Sequence, residues 1–311
     1  RSPRPGSHKH AAPPTLALPR GSIHVSHRLT NTGQLLANGA TDVKAIQSFV
    51  NSAAAKLGTL HTEGLLDNRN GVLQLQRLTG AQTSVLNTAG SLSVAQDLRL
   101  VAHRIDNTGG FLGSAQSLSA KTHTITSDAA SRLNALGDLS LELSAPLTHQ
   151  GTMATDGKLL VKSTGALINQ GKLLGGTGTE LDATEVDIQP DAEVSAHQTT
   201  TVIRAPKGIT NRGLIDGADT RLDADNVKNL GTGRIYGDHV SIAAHTLENR
   251  PEPGVDSKPV IAARGDLDLG VAKVINVHGA TLRSLGDTRL GARLDADRRA
   301  TGRAQMLDNT A

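Results

Sequence analysis

The chain has 311 residues, and its 32 Lys and Arg side chains against 29 Asp and Glu give a formal charge of only +3, with acids and bases interspersed. Such a small excess gives no reason to expect nucleic acid or an anionic membrane as a partner. The only aromatic residues are Phe49, Phe111 and Tyr236, which excludes an ordinary globular core of this size, because such a core buries many rings. We therefore predict a narrow interior filled by Leu, Ile, Val and Ala.

Two features bear on location. The sequence contains no Cys, which fits an exported chain that stays unfolded until it has crossed its last membrane. No stretch approaches the ~18 apolar residues of a membrane-spanning helix, so we predict no membrane span. The chain starts at Arg1 without the apolar core of a signal peptide, and we expect it to be part of a longer protein.

The first segment comprises residues 1–28. Prolines lie among Arg, His and Ser in its first part, at Pro3, Pro5, Pro13, Pro14 and Pro19. A segment of this composition buries too little apolar surface to offset the entropy of ordering. We predict a disordered or partly ordered leader over residues 1–28.

A repeated phrase begins at residue 29 and continues to the end of the chain. Its centre is Asn-x-Gly between aliphatic pairs, most clearly at 166–174 and 208–215. The central position is occupied by Asn31, Asn51, Asn70, Asn87, Asn107, Asn169, Asn211, Asn229 and Asn249, by His149, and by turn formers near Asp128 and near Pro190 and Asp191. The positions recur at intervals of 17 to 21 residues, a period typical of solenoid repeats.

Within each unit the apolar residues alternate over three to five positions and are interrupted by Gly, Asn or Asp, as in Leu98, Leu100 and Ala102. This pattern predicts short strands with one buried face, and 33 glycines disfavour helices. We predict an all-β fold over 29–311, a parallel β-helix of about twelve turns with three short strands per ~20-residue turn. At ~4.8 Å between strands the rod would be roughly 60 Å long.

The repeated Asn and Gly have structural roles in this fold. We predict that Gly171, Gly213 and their equivalents supply positive φ at a corner. Stacked Asn amides are expected to hydrogen-bond along the rod, as in Asn ladders. A motif present in most turns does not mark a single ligand site.

Two places break the period. Residues 250–259 contain three prolines, which predicts a loop excursion from a corner. After Asn276 the next clear Asn is Asn309, and residues 283–303 between them are rich in Arg and Asp. We expect binding specificity to lie in these two departures, 250–259 and 283–303.

The Asn-x-Gly-x-Leu turns, together with the stretch 294–309, which opens Leu-Asp-Ala-Asp and closes Leu-Asp-Asn, resemble the haemagglutinin repeats of filamentous-haemagglutinin-type exoproteins. These are the large passengers of two-partner secretion and include adhesins and contact-dependent inhibition effectors. The resemblance implies a right-handed β-helix, export through an outer-membrane partner transporter, and a secreted or cell-surface fibre that adheres or presents a distal effector. The receptor is not implied. We expect these residues not to include the amino-terminal secretion domain or a carboxy-terminal toxin of a full member, so activities located in those parts are not carried over.

Three local motifs have structural interpretations. Arg264-Gly265-Asp266 matches an integrin-binding tripeptide, but Gly-Asp-Leu also occurs at 137–139, which places the motif at a corner leading into a strand. The stretch 175–181 resembles one calcium-binding nonapeptide, and such a site needs consecutive copies. The nearest His pairs, His8 with His10 and His239 with His245, lack the spacing and third ligand of a zinc site.

We predict a non-catalytic stalk or adhesive segment with no catalytic, cofactor-binding or metal-binding residues, which associates end to end through open strand edges. The rival hypothesis is an extracellular β-helix polysaccharide lyase or hydrolase. Its candidate acids are Asp182, Asp187, Asp216, Asp219, Asp223 and Asp225. Asp182 and Asp223 share a sequence context but lie two turns apart, roughly 10 Å by strand spacing, which exceeds the ~6.5–9.5 Å of an inverting pair.

Overall fold

The structure is a computed structural model that describes residues 14–18, 20–37 and 41–310. Over these residues the chain is an all-β parallel solenoid of about 14 turns, without a helix. The predicted fold class is confirmed. The predicted number of turns, about twelve, is too low. Strands that precede residue 29 and the corners at Asn276 and Asn309 also belong to the solenoid.

Each turn has three strands, which form three faces along the rod. Face 1 follows the Asn corner and comprises Thr15–Leu18, Gln34–Ala37, Ser91–Val94, Phe111–Ser114, Arg132–Ala135, Thr152–Thr155, Lys172–Gly175, Glu193–Ala196, Leu214–Asp216, Arg234–Gly237, Val260–Ala263 and Thr281–Ser284. Face 2 comprises Gly21–Val25, Thr41–Ala45, Leu139–Leu143, Lys158–Ser163, Gly178–Asp182, Thr200–Ala205, Asp219–Ala224 and Thr288–Gly291. Face 3 leads back to the Asn corner and comprises Arg28–Asn31, Ser48–Asn51, Leu65–Asp67, Ser84–Leu86, Leu147–His149, Ala166–Asn169, Glu185–Ile188, Gly208–Asn211, Asn226–Leu230 and Met306–Asp308.

Longer strands continue from one face to the next. Two of them belong to faces 1 and 2, namely Ala54–His61 and Val72–Thr79. Four belong to faces 2 and 3, namely Leu98–Asp106, Leu118–Thr126, His239–Arg250 and Leu267–Asn276. The described strands outside the three faces, Arg293–Leu294 and Ala300–Thr301, form an antiparallel pair.

The core is a column of aliphatic side chains. On face 1, Leu173 pairs in register with Val194 and Val194 with Ile215, and all three are fully buried. Because side chains alternate along a strand, the parallel register places every second residue on the interior column. Each buried Leu, Ile or Val contributes about 1.5–3 kcal/mol, and the one fully buried aromatic residue in the described chain is Phe49.

The solenoid begins before the predicted boundary at residue 29. Thr15–Leu18 pairs with Gln34–Ala37, and Gly21–Val25 pairs with Thr41–Ala45, both in parallel. Pro14 and Pro19 flank the first strand in the sequence without interrupting it, which is where an edge strand tolerates proline. Residues 1–13 of the predicted leader lie outside the described residues.

The predicted Asn ladder is present as two runs of buried side chains. In the first, Asn31 donates to Asn51, Asn51 to Asn68, Asn68 to Asn87, and Asn87 to Asn107, at 2.7–2.8 Å. In the second, Asn211 donates to Asn229, then to Asn249, Asn276 and Asn309, at 2.7–2.9 Å. The same amide nitrogens also donate to backbone carbonyls at the corner, so each Asn side chain binds both the Asn of the next turn and the backbone of the bend.

Asn70 does not occupy the ladder position assigned to it, and Asn68 does. Asn70 is exposed, with a φ of 56°, whereas Asn68 is 1% exposed and bonded to both neighbouring turns. This corner has one residue more than Asn-x-Gly, and the extra residue adopts the left-handed conformation. The spacing alone could not separate two Asn residues within one corner.

Between the two runs, several ladder positions are occupied by residues other than Asn. Asp128 is a turn former, as predicted, and its Oδ1 accepts from Ser131. His149 is fully buried, and its Nε2 lies 3.2 Å from the Lys172 carbonyl oxygen, which matches the bond from Asn169 to the Glu193 carbonyl. The position assigned to Pro190 and Asp191 is taken on face 3 by Ile188, which is in register with Asn169 and has no polar group to offer.

The corner glycines are required for a different reason from the one predicted. Gly171 and Gly213 do not have positive φ; at other corners that conformation belongs to Ala89 at 51° and Gly109 at 62°. A Cβ on Gly171 would lie 2.1 Å from the carbonyl oxygen of Gly151, and one on Gly213 would lie 2.2 Å from that of Ala192. The backbone of one corner therefore rests directly on the corner below it, with no room for a side chain.

Replacing Asn87 by Ala should destabilise the rod by about 2–4 kcal/mol, because the substitution removes the bonds that Asn87 makes to both neighbouring turns and leaves the buried Oδ1 of Asn107 without a donor. Urea unfolding monitored by circular dichroism measures the loss. Asn134→Ala is the matched control, since Asn134 is exposed on face 1, and its change should stay within ~0.5 kcal/mol. Equal effects of the two substitutions would contradict the role of the ladder.

The stability of the rod should depend on pH through His149. Burial lowers the pKa of His149 to about 4, from 6.5. The unfolded chain therefore binds one more proton between these values, and stability falls as the pH decreases from 6.5 to 4, by about 3 kcal/mol in total. Over this range, the free energy of unfolding plotted against pH should have a different slope in wild type and in His149→Asn, whereas His197→Asn should follow wild type. Parallel curves for wild type and His149→Asn would refute this assignment.

Candidate binding surface

A groove crosses the outside of face 1 near the corner to face 2, over successive turns between Lys56 and Asp156. It has a volume of about 630 Å³. Its lining comprises Lys56, Leu57, Gln74, Leu75, Gln76, Ser93, Val94, Ala95, Phe111, Gly113, Ser114, Ala115, Asn134, Ala135, Leu136, Ala154, Thr155 and Asp156. Small residues on neighbouring turns leave a depression between larger ones. The lining of this depression is mainly apolar.

Phe111 and Leu136 form the apolar centre of the groove. Phe111 and Gly113 are two residues apart on one strand and so point to the same side. A Cβ on Gly113 would lie 2.5 Å from the Phe111 ring, so the ring lies against the backbone of Gly113. Leu136 is 62% exposed at the adjacent corner. The groove thus offers an aromatic ring and an aliphatic side chain to solvent.

Polar side chains surround this centre. Gln74, Asn134, Lys56 and Asp156 are exposed, and their side chains make no hydrogen bond within the described residues. Their amide, ammonium and carboxylate groups are available to a ligand. One positive and one negative charge leave the groove without net charge.

Sequence reasoning did not identify this groove. Its specific signal is Phe111, one of few aromatic residues, followed two positions later by Gly113 on the same strand side. The remaining lining residues are ordinary occupants of outward positions. Only the register of successive turns brings them together.

The excursion predicted at 250–259 is an irregular segment between Arg250 and Val260 that is tied to the rod. Both Glu252 carboxylate oxygens accept from Arg212 Nε, at 3.0 and 2.9 Å. Arg234 donates to the Lys258 carbonyl at 2.9 Å and to Ser257 Oγ at 3.0 Å. These charged and polar contacts therefore hold the segment against the two preceding turns of the rod.

Residues 292–303 of the second departure form a hairpin that folds back over face 2. Arg298, at its tip, donates to Asp223 Oδ1 at 2.6 Å and to Ser241 Oγ at 3.0 Å, in earlier turns. A Cβ on Gly270 would lie 2.5 Å from the backbone of Arg293, so the hairpin rests directly on the sheet. This stretch, which carries the resemblance to haemagglutinin repeats, is integrated into the rod.

The hairpin covers a buried carboxylate, Asp268. Asp268 is fully buried; its Oδ1 accepts from the amide of Ala300 at 2.9 Å, and its Oδ2 lies 3.1 Å from His239 Nε2 and 3.3 Å from Arg289 Nη1. Each oxygen is thus satisfied, as burial of a carboxylate requires. The arrangement is a structural anchor for the hairpin.

Arg264, Gly265 and Asp266 lie at the corner between faces 1 and 2. Arg264 Nε donates to Asp238, and Asp266 accepts from the amide of Asp287 at 3.0 Å and from Arg289 at 2.9 Å. The bond to Arg289 lowers the pKa of Asp266. The carboxylates of Asp97 and Asp138 accept next-turn amides in the same way, at 3.0 and 2.8 Å. This acidic position therefore helps to connect successive turns, and both charges of the tripeptide are paired within the chain.

The six candidate acids of the rival hypothesis do not converge. Asp216 lies on face 1 and Asp187 on face 3, Asp225 is at an exposed corner, and face 2 carries Asp182, Asp219 and Asp223. Asp182 and Asp223 are both in register with Arg204, one on each side of it, so they lie two turns apart as predicted.

Partners from the same chain occupy several of these acids. Asp219 accepts from Arg221, and Asp223 accepts from Arg298. Asp187 accepts from Gln189 at 2.7 Å, and burial raises the pKa of its carboxyl.

No cluster that could hold a metal ion occurs in the described ranges. Three or more His, Asp or Glu side chains do not come together there in a suitable arrangement. In the glycine-rich stretch, Gly176 packs on the Asp156 carbonyl, to which a Cβ would come within 2.2 Å. Glu180 pairs with Lys158 and Arg204, and the bond from Lys158 lowers its pKa. Within residues 14–18, 20–37 and 41–310 there is no helix of the length and apolarity needed to cross a membrane.

Comparison with known proteins gives one distant relative. The chain is 28% identical over 259 residues to the deoxyribonuclease CdiA of Dickeya dadantii (strain 3937). The match covers 82% of this chain and 7% of that protein. No protein-family model and no solved structure matches the chain.

Replacing Arg298 by Ala should release the hairpin, because the only side chain that reaches Asp223 and Ser241 from its tip is lost. Because a charged hydrogen bond is lost, the hairpin should open roughly tenfold more often than in wild type, or more. Hydrogen exchange of the Ala300 amide, which is bonded to Asp268, measures this opening. Arg299→Ala removes an exposed neighbouring Arg and should leave the exchange rate unchanged; similar rates in both variants would argue against the anchor.

Proposed function

We propose that the chain is a non-catalytic, rod-forming segment of a larger secreted surface protein, which holds an adhesive or effector region away from the cell. The carrying observation is the uninterrupted column of buried aliphatic side chains with its two Asn ladders. Each turn is built to stack on the next, which suits a spacer. The repeats that resemble filamentous haemagglutinin and the similarity to CdiA support the same role.

Location and export follow from the same proposal. The chain would reach the bacterial cell surface through an outer-membrane transporter of two-partner secretion. Because the matched stretch is only 7% of the relative, the nuclease activity in that protein's name need not reside in the shared part. The chain would thus support an activity encoded elsewhere in a longer protein.

The proposed adhesive contact is the face 1 groove. Phe111 and Leu136 offer apolar surface, and the amides of Gln74 and Asn134 offer hydrogen bonds. By contrast, the departures at 250–259 and 283–303 use many of their charged groups within the chain. The groove is therefore a better candidate for contact with another surface.

Paired substitution of Phe111→Ala and Leu136→Ser should reduce binding of the fluorescently labelled chain to cells by roughly tenfold or more, since such anchors dominate contact energies. Flow cytometry over a concentration series measures the change. Leu285→Ser, at a residue 67% exposed far from the groove, is the control for loss of a surface Leu. Undiminished binding by the paired variant would reject the groove as the contact.

The non-catalytic assignment has its own test. Incubation of the purified chain with acidic and neutral polysaccharides should release no new chain ends. Measurable cleavage that is lost in Asp182→Asn or Asp223→Asn, with an unchanged circular dichroism spectrum, would replace the proposal with the lyase or hydrolase hypothesis.

A further inference from the structure

Face 2 is interrupted inside the rod, between two turns that remain paired on the other two faces. On face 1, Val72–Thr79 pairs in parallel with Ser91–Val94, and on face 3, Ser84–Leu86 pairs with the last part of Leu98–Asp106. On face 2, Val72–Thr79 pairs with the preceding turn and Leu98–Asp106 with the following one, and no ladder joins these two described strands. The break lies in the body of the rod, with complete turns on both sides of it.

The break follows from a change in the length of the turns. The interval between bonded ladder Asn residues rises from 17 residues after Asn51 to 20 residues after Asn87. Val72–Thr79 runs from face 1 to face 2 without interruption, whereas residues 95–97 form a corner before Leu98–Asp106 begins. Face 2 is therefore shifted relative to the preceding turn, and the first shifted strand has an edge without a partner strand.

This edge presents backbone donors and acceptors. The amide of Leu98 donates to a carbonyl of the following turn at 2.9 Å, and the amide of His103 donates to a carbonyl of the preceding turn at 3.1 Å. Because successive residues of a strand direct their backbone groups to opposite sides, Arg99 and Val101 share the direction of His103. Their N–H and C=O groups therefore face the preceding turn, where face 2 offers them no strand.

A depression of about 650 Å³ lies along the same edge. Its lining includes Arg99 and Val101 from the edge strand, and Arg77, Gly80 and Ala81 from the preceding turn. Arg77 and Arg99 are exposed, and their side chains form no hydrogen bond or ion pair within residues 14–18, 20–37 and 41–310. The depression thus combines a free strand edge, two unpaired positive charges and small residues that leave room for another backbone.

We propose that this edge binds an extended segment of a partner protein, which adds one strand to face 2 and carries acidic side chains. Extended peptides bind free sheet edges through main-chain hydrogen bonds, and their side chains provide the specificity. The backbone groups of Arg99 and Val101 supply the pairing, and the guanidinium groups of Arg77 and Arg99 bind carboxylates. The carboxylate in the lining, Asp97, is engaged within the chain, since it accepts from the amide of Ser117 at 3.0 Å.

The charges of the edge select against a second copy of this chain as its occupant. Pairing of two such edges would bring Arg77 and Arg99 of one copy beside the same residues of the other, and like charges on adjacent strands are unfavourable. An acidic segment makes the same contact favourable. The site lies on face 2 and goes beyond the adhesive contact proposed for face 1, so each can be tested without the other.

The probe for this site is a fluorescein-labelled peptide, Thr-Val-Glu-Val-Glu-Val-Thr, which places Glu on one side of an extended strand and Val on the other. Its fluorescence anisotropy should show saturable binding to the whole chain. Arg77→Glu and Arg99→Glu should each weaken the affinity at least tenfold. Arg283→Glu is the control, because it makes the same charge change at an exposed face 1 residue of the last turns and should leave the affinity unchanged. Circular dichroism verifies that the variants are folded.

Hydrogen exchange distinguishes strand pairing from simple attraction of an anion. The peptide should slow exchange of the Arg99 and Val101 amides at least tenfold. A peptide with N-methyl groups on its Val and Glu residues keeps the charge but lacks the amide donors, and it should neither bind nor protect. Absence of binding, amides that stay unprotected, or equal binding by the N-methylated peptide or by Arg99→Glu would each overturn the proposal. Protection that rises with chain concentration without peptide would assign the edge to a second copy and would overturn it as well.

Discussion

Contact between successive corners at the distance of one strand spacing is the constraint on which the rest of the fold depends. The strands of successive turns can pair only if the bend between faces 3 and 1 takes up no more height along the rod axis than one strand spacing. Gly171 meets this requirement because a Cβ would overlap the carbonyl oxygen of Gly151. The buried Asn amides add to this contact, since they donate both to the Asn of the next turn and to carbonyl groups of the corner. With the corners fixed, the alternation of the strands places their aliphatic residues on one interior column.

The period and the alternation predict this architecture well, because both are repeated many times and every copy supports the same register. Prediction from sequence fails where the structure depends on a single residue or contact. The choice between Asn68 and Asn70 depends on one extra corner residue, and the role of Gly171 depends on an atom one turn away. At Ile188 the ladder is absent because an aliphatic residue occupies the face 3 position. None of these details has a separate signal in a degenerate repeat.

The groove shows a related limit. Its residues are ordinary in their own turns and acquire meaning only by stacking, so a search for motifs along the sequence does not find them. The reverse holds for the departures from the period, which attract attention in the sequence but are largely occupied by internal contacts. Arg212 holds Glu252, and Arg298 holds Asp223. A break in a repeat is therefore as much evidence of an insertion that the rod must anchor as of a binding site.

The gap between the two Asn runs has a mechanical consequence. From Asn107 to Asn211 the described turns have no Asn to Asn bond, and the ladder positions hold Asp128, His149 and Ile188 among others. Within the two Asn runs, the side-chain amide bonds share a tensile force along the axis with the backbone hydrogen bonds. In this middle part the ladder positions contribute fewer bonds between turns, such as those of His149 and Asn169 to backbone carbonyls, so the force falls mainly on the backbone bonds and the packing of the core. A rod pulled from both ends would yield first near its centre, so the gap would act as a defined point of extension that spares both ends.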